Sequence, residues 1–90
     1  MAQAIANPEE LRQFAQQLKQ FNNTLTDQAT MLATRLEELS KSWRDQENKK
    51  FTEDFQQHLR LLAQFAEANN QHIPYLLRKA ERLEEYLQQR

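Results

Sequence analysis

The sequence predicts an all-α fold: an antiparallel helical hairpin of two long helices, dimerising into an elongated four-helix bundle. Glycine is absent from the 90 residues and proline occurs twice, whereas sheet proteins depend on both residues for their turns. Apolar residues recur every three or four positions in both halves of the chain, which is the spacing of a helix face. Between the halves, seven consecutive polar or charged residues separate Trp43 from Phe51. Because two helical turns without an apolar face have nothing to bury, the chain is expected to reverse there.

The first helix is predicted over about residues 8–41, after a segment, 1–6, that carries no strong signal. Asn7 can cap the free backbone amides, and Pro8 suits the first helical position because no amide hydrogen is needed there. The spacing between successive apolar residues alternates between three and four positions. Around Leu25 two spacings of four follow each other, which predicts a stutter in the heptad pattern. The stripe of this helix is Leu11, Phe14, Leu18, Phe21, Leu25, Ala29, Leu32, Leu36, Leu39 and Trp43.

The turn is predicted at about residues 42–46 and the second helix at about 47–88, all within one domain spanning 1–90. Ser42 and Asp45 are the candidate caps, and Asp45 is the better one because Gln46 and Glu47 suit a first turn. Pro74 predicts either a kink or a break, and the continued apolar spacing favours the kink. The second stripe is Phe51, Phe55, Leu59, Leu62, Ala66, Asn69, Ile73, Leu76, Ala80, Leu83 and Leu87.

The apolar residues spread more widely around each helix than one two-helix seam requires, which is typical of a larger bundle. We therefore expect a second hairpin to cover them. A homodimer is the economical expectation, and a heterodimer with a related hairpin is the alternative. The predicted register places Leu18 opposite Ile73. The residues expected at the hairpin or dimer seam are Leu11, Phe14, Leu18, Phe21, Leu25, Leu32, Leu36, Leu59, Leu62 and Ile73.

Two features of the stripes allow both a structural and a functional interpretation. Trp43, followed by Phe51 and Phe55, can plug the end of the apolar core, and as a partly exposed residue it can also serve as a recognition element, because its indole N–H favours an interface. Asn69 and Asn70 either fix the helix register as buried polar residues or belong to a solvated patch near Pro74.

Composition excludes several classes of function. Cysteine is absent and the net charge is −1, which argues against thiolate chemistry and against duplex nucleic acid as a partner. His58 and His72 are too far apart along one helix to bind one metal ion. We expect no catalytic residues, no cofactor and no metal site. No apolar run is long enough to span a membrane, and no leader peptide is evident in the first residues.

A helical hairpin of this length with a tryptophan at its turn resembles the WXG superfamily, which comprises small early-secreted-antigen-like proteins exported by bacterial type VII secretion systems. The resemblance covers most of the chain and includes the run Leu36, Leu39, Trp43 and Phe51. Asp45 stands where the family has glycine, and a capping role for Asp45 would do a similar structural job. The resemblance implies that Trp43 lies beside the end of a partner's second helix, where the secretion machinery reads it.

The family often carries an export signal in which an acidic residue follows a tyrosine by four positions. Here Tyr75 is followed by Lys79, and Tyr86 is followed by Arg90. Because neither pair matches, the resemblance supports fold and dimerisation better than export.

These observations favour a small non-enzymatic protein that is a substrate or associated protein of a type VII-like secretion system and acts through helix–helix contacts. It would be secreted without a cleaved signal peptide, and the secretion machinery would be a further partner. The alternative is a cytoplasmic adaptor or scaffold subunit that forms a helical bundle with a partner. The expected interaction and turn residues are Trp43, Asp45, Phe51 and Phe55.

Overall fold

The fold consists of two α-helices, α1 at Pro8–Ser42 and α2 at Gln46–Gln88. It is seen in a computed structural model that describes residues 6–89. Residues 1–5, part of the segment without a strong signal, lie outside the described residues, as does Arg90. The prediction of an all-α helical hairpin is confirmed.

The described residues form two compact units. We call residues 6–22 and 68–89 the terminal unit, and Asn23–Glu67 the turn unit. In each unit a segment of α1 packs against a segment of α2 that runs in the opposite direction. The single-domain organisation stays a prediction.

Asn7 fixes the start of α1. Its side-chain Oδ1 accepts hydrogen bonds from the backbone N–H groups of Glu9, at 2.8 Å, and Glu10, at 3.4 Å. These are two of the amides at a helix start that have no partner within the helix. The two glutamates also lie at the positive end of the helix dipole, where negative charge is favourable. The sequence therefore sets this boundary through local chemistry, before any packing is considered.

Pro74 lies inside α2, and the helix continues through it to Gln88. The proline ring is exposed, so water can reach the carbonyl group that a residue with an amide hydrogen would have bonded. The structure therefore contains one continuous helix rather than two shorter ones. A kink at this position stays a prediction.

The buried side of α2 follows a regular heptad. From Asn48 to Leu83, the buried and partly buried residues other than Lys79 advance by alternate steps of four and three, which is the spacing of a helix–helix seam. The seam positions hold small and polar residues as well as large apolar ones. Its positions are Asn48, Thr52, Phe55, Leu59, Leu62, Ala66, Asn69, Ile73, Leu76, Ala80 and Leu83.

The seam of α1 differs from the predicted stripe. Ala15 and Asn22 are buried, whereas Phe14 and Phe21 are 55% and 52% exposed. Each phenylalanine is one residue away from a seam position, which rotates it by about 100° around the helix. With Ala15 and Asn22 included, the steps from Leu11 to Ala29 alternate regularly, so the predicted stutter around Leu25 was wrong.

Most of the other predicted seam residues do lie between the helices of their own unit. Leu36 is buried, and Leu32 is exposed. Phe14, Phe21 and Leu32 are therefore not buried by the single chain. The partly buried members of the predicted set are Leu11, Leu18, Leu25, Leu59, Leu62 and Ile73.

Three asparagines connect the two helices within the terminal unit. The buried Asn22 donates from Nδ2 to Oδ1 of Asn70 at 2.8 Å, and its Oδ1 accepts from Nδ2 of Asn69 at 3.3 Å. Asn22 lies four residues after Leu18, and Asn70 lies three before Ile73, so the bond fits the register that places Leu18 opposite Ile73. Asn69 is partly buried and Asn70 is exposed, so each interpretation of the α2 asparagines holds in part: both bond across the helices to the buried Asn22, and Asn70 also reaches solvent.

Candidate functional site: the turn and the exposed apolar residues

The turn joins the helices through three residues, Trp43, Arg44 and Asp45. The backbone N–H of Trp43 still donates to the carbonyl oxygen of Leu39 at 2.9 Å, so the helical pattern of α1 reaches the tryptophan. The Arg44 Nε donates to the carbonyl oxygen of Lys41 at 2.8 Å. These bonds satisfy carbonyl groups that the helix end leaves free, and they hold the indole at the end of α1.

Asp45 caps α2, as its position predicts. Its Oδ1 accepts a hydrogen bond from the backbone N–H of Asn48 at 3.1 Å. The other candidate cap, Ser42, instead donates from Oγ to the carbonyl oxygen of Leu39 at 3.2 Å. Over residues 6–89 no backbone φ angle is positive. The turn therefore needs no residue in the left-handed conformation that favours glycine.

Aromatic rings continue from the turn along the first part of α2. The ring of Trp43 lies 5.8 Å from that of Phe51, and Phe51 stacks on Phe55 at 5.5 Å. The imidazole of His58 meets the edge of Phe55 at 6.2 Å. Such distances lie in the range of favourable aromatic contacts. Trp43 and Phe55 are partly buried while Phe51 is exposed, so this cluster both closes the end of the seam and presents aromatic surface.

The terminal unit has a polar edge marked by an ion pair. Arg12 donates from Nη1 to Oε2 of Glu84 at 2.9 Å, and from Nη2 to Oε1 at 2.5 Å. The hydrogen bond from Arg12 is the largest influence on Glu84, and it lowers the pKa of this carboxyl group although desolvation opposes the shift. The same bond raises the pKa of the Arg12 guanidinium. This geometry joins the ends of α1 and α2 along one edge.

The exposed aromatic residues of the terminal unit lie away from that edge. Phe14 follows Arg12 by two residues, and Tyr86 follows Glu84 by two. Two residues rotate a helix by about 200°, so each aromatic ring lies about 160° around its helix from its member of the ion pair. Phe21 repeats the position of Phe14 one heptad later. Phe14, Phe21 and Tyr86, exposed by 52–63%, therefore share one side of this unit, which we call the terminal apolar face.

The turn unit carries its own set of exposed apolar side chains. Phe51 and Phe65 are separated by two heptads and occupy one flank of α2, next to the seam. They are 43% and 52% exposed. Leu32 and Leu39 are one heptad apart on α1 and are also exposed. We call these four residues the turn apolar face.

Metal-binding clusters and membrane-spanning helices are absent from residues 6–89. No group of three or more His, Cys, Asp or Glu side chains between residues 6 and 89 is arranged to hold a metal ion. Neither α1 nor α2 has a segment long and apolar enough to cross a bilayer. His58 and His72 are both exposed.

Asn22, the one buried polar residue within residues 6–89, was not predicted from the sequence. A signal for it exists in the printed sequence. Ala15, Asn22 and Ala29 are spaced by seven and alternate with the leucines at positions 11, 18 and 25. Counting large apolar residues hid this series because two of its members are alanines.

Comparison with known proteins gives one family. The WXG100 family, described as proteins of 100 residues with WXG, matches residues 3–87. A search of curated proteins finds no significant match. The match covers both helices and the turn that joins them, and we conclude that the chain belongs to the WXG100 family.

Proposed function

We propose that the chain is a substrate or an associated protein of a type VII-like secretion system and that it acts through helix–helix contacts with other proteins. The single observation that carries this proposal is the family match over residues 3–87, because WXG100 proteins are small helical secretion-associated proteins. The proposed route is export without a cleaved signal peptide.

Trp43 and the residues around it form the proposed recognition element. The partial burial of Trp43 supports this role, because its ring is held at 5.8 Å from Phe51 while part of the indole stays accessible. We propose that Trp43-Arg44-Asp45 replaces the tryptophan–glycine turn of the family. The cap that Asp45 provides to Asn48 supports this equivalence, because the cap orders the turn without a glycine.

The proposed partner of the two apolar faces is a second copy of this chain, giving a four-helix bundle. The exposure of Phe14, Phe21 and Phe65 supports this, since each is more than half exposed on the single chain. Burying a fully exposed phenylalanine side chain contributes roughly 1.5–3 kcal/mol, and about half of that remains to be gained at each of these residues. A related hairpin would gain the same stabilisation, and a heterodimer is therefore an outcome of the test. No catalytic step and no cofactor form part of the proposal.

A cytoplasmic adaptor or scaffold subunit is the second candidate function. Its specific support is that Tyr75 and Tyr86 are followed four positions later by Lys79 and Arg90, where the export signal of the family has an acidic residue. The same faces would bind the partner in either case, so the two functions differ in localisation.

Export can be tested by measuring the protein in culture medium and in cells, with and without the membrane ATPase of the secretion system. Secretion predicts that the protein reaches the medium only when the ATPase is present. Trp43→Ala should reduce export while the helical circular dichroism stays near that of the parent. Trp43→Phe is the matched control, because it keeps an aromatic ring. Protein found only in cells under all conditions would favour the adaptor.

A further inference from the structure

The apolar contacts of the terminal unit are made mainly by small side chains. Its most fully buried residues between the helices are Ala15, Asn22 and Ala80. Two methyl groups and an amide remove little apolar surface from water, and burial stabilises in proportion to that surface. Larger seam residues of this unit, such as Leu18 and Ile73, are only partly buried. The terminal unit therefore gains little stability from apolar burial for its length.

The polar contacts of the terminal unit are of a kind that water can replace. The side chains of Asn22 and Asn70 are bonded at 2.8 Å, and Asn70 is exposed. A hydrogen bond within a protein contributes only modest net stability, because both groups bond to water when the contact opens. The ion pair between Arg12 and Glu84 is partly exposed at both residues, so its contribution is also small. These contacts orient the two helical segments more than they hold them together.

Pro74 weakens the α2 segment of the terminal unit. It lies inside α2 and has no backbone N–H, so the carbonyl group of Asn70 receives no helical hydrogen bond from it. The turn unit, Asn23–Glu67, contains no proline. The helix is continuous through Pro74, but this segment is less stable than one in which every backbone amide is bonded.

The turn unit has contacts that do not depend on the terminal unit. Leu36 is buried, the rings of Trp43 and Phe51 are 5.8 Å apart, and Asp45 caps α2. The three-residue turn joins its two helical segments directly, whereas the segments of the terminal unit are separated in sequence by all of Asn23–Glu67. Because the entropy cost of closing a loop rises with its length, the terminal unit pairs at low cost only when the turn unit is already formed.

We propose that the hairpin opens in two steps, in which the terminal unit opens first as one cooperative unit while the turn unit keeps its helices paired. This inference concerns contacts within one chain and does not rest on the proposed dimer. Elements that move when a protein binds its partners are drawn from the least stable part of a fold. The opened state exposes the seam residues Leu18 and Ile73 to other helices and leaves the structure around Trp43 intact.

Native-state hydrogen exchange of the full chain at low urea concentrations, followed by NMR for each amide, tests the inference. We expect the protection factors of residues 11–20 and 76–86 to be lower than those of residues 29–39 and 52–62 by about tenfold or more, which corresponds to roughly 1.4 kcal/mol. The less protected amides should share one dependence on urea, because one step exposes them all. Protection that falls gradually toward the helix ends, without a shared urea dependence, would indicate fraying and overturn the inference.

The variant Asp45→Ala separates a two-step opening from a single one. It removes the cap of α2 in the turn unit, so it should lower the protection of the turn-unit amides severalfold and leave the terminal-unit amides unchanged. If it lowers the protection of both units by the same factor, the hairpin opens in one step and the inference is wrong. Greater protection in the terminal unit than in the turn unit would also contradict it.

The variant Pro74→Ala is the complementary test. It adds a backbone N–H to the terminal unit and should raise the protection of residues 11–20 on α1 as well as that of α2, because the two segments open together. The turn unit should gain protection too, since complete unfolding includes the first step. Gln71→Ala is the matched control, because Gln71 is exposed in the same segment and its replacement adds no amide hydrogen. A gain confined to the α2 residues next to position 74 would show that the segments do not open as one unit.

Discussion

Asn22 and Asn70 are joined across the two helices of the terminal unit by a side-chain hydrogen bond of 2.8 Å. Asn22 is buried, and its oxygen is also bonded, to Asn69. A buried amide that satisfies both its donor and its acceptor can specify one helix register, because shifting either helix by one residue would leave it unpaired. A shift by one heptad would still pair leucine with leucine, but it would separate Asn22 from Asn70.

Replacing Asn22 tests this role. Asn22→Ala should lower the free energy of unfolding by about 1–2 kcal/mol, because it removes two hydrogen bonds and leaves a small void. Asn23→Ala is the matched control: the neighbouring Asn23 is exposed, and both changes bring the same gain in helix propensity. Urea denaturation followed by circular dichroism measures the difference. Equal stability of the two variants would show that the network contributes nothing.

The ion pair between Arg12 and Glu84 predicts a pH dependence of stability. Because the bond to Arg12 lowers the pKa of Glu84 in the folded chain, the folded state binds protons less readily than the unfolded state. The stabilisation is then fully present above the ordinary glutamate pKa of about 4.3, and it is lost as pH falls through the lower folded value. Glu84→Gln should therefore lower stability at pH 7 and leave it nearly unchanged at pH 2.

Glu85→Gln is the control for that comparison, because Glu85 is exposed and directly follows Glu84 on α2. Thermal unfolding of both variants at the two pH values gives the four stabilities to be compared. Since both partners of the ion pair are partly exposed, with side-chain accessibilities of 35% and 45%, the effect should be small and should weaken in high salt. A larger loss for Glu85→Gln at pH 7 would contradict the assignment.

The cap at Asp45 can be separated from any role of its charge. Asp45→Ala should reduce stability by about 1 kcal/mol, because the backbone N–H of Asn48 loses its side-chain acceptor. Asp45→Asn should retain most of that stability, since the asparagine oxygen accepts the same bond. Asp45→Gly introduces the glycine that the proposed equivalence with the family's tryptophan–glycine turn assigns to this position, and its stability should be intermediate. If Ala and Asn variants unfold at the same urea concentration, the cap is not significant.

The fold was predictable because its signals are strong and local. The polar interval after Trp43 marks the turn, Asn7 and Asp45 mark the helix starts, and the apolar spacing marks both helices. The seam of α1 was less predictable, because residue hydrophobicity does not report which of two adjacent positions faces the other helix. Phe14 is more apolar than Ala15, yet closely packed helices select the smaller side chain for the seam.

The interaction residues were predictable only as a set. Sequence periodicity shows that more apolar surface is present than one hairpin can bury. It does not show which apolar residues, such as Phe21 or Leu25, lie between the helices and which stay exposed. In the structure, Leu25 lies in the seam and Phe21 lies on the terminal apolar face. The buried pairing of Asn22 was hidden for the same reason that Ala15 was, because a polar or small residue adds nothing to a hydrophobic count.

The proposal that the exposed apolar faces bind a second hairpin is tested most directly by sedimentation equilibrium of the full chain at neutral pH. At tens of micromolar, the account predicts twice the mass of one chain. The variant Phe21→Ser/Phe65→Ser should be monomeric and still helical, because both rings are more than half exposed on the single chain. A parent chain that stays monomeric at this concentration would contradict the proposed self-association.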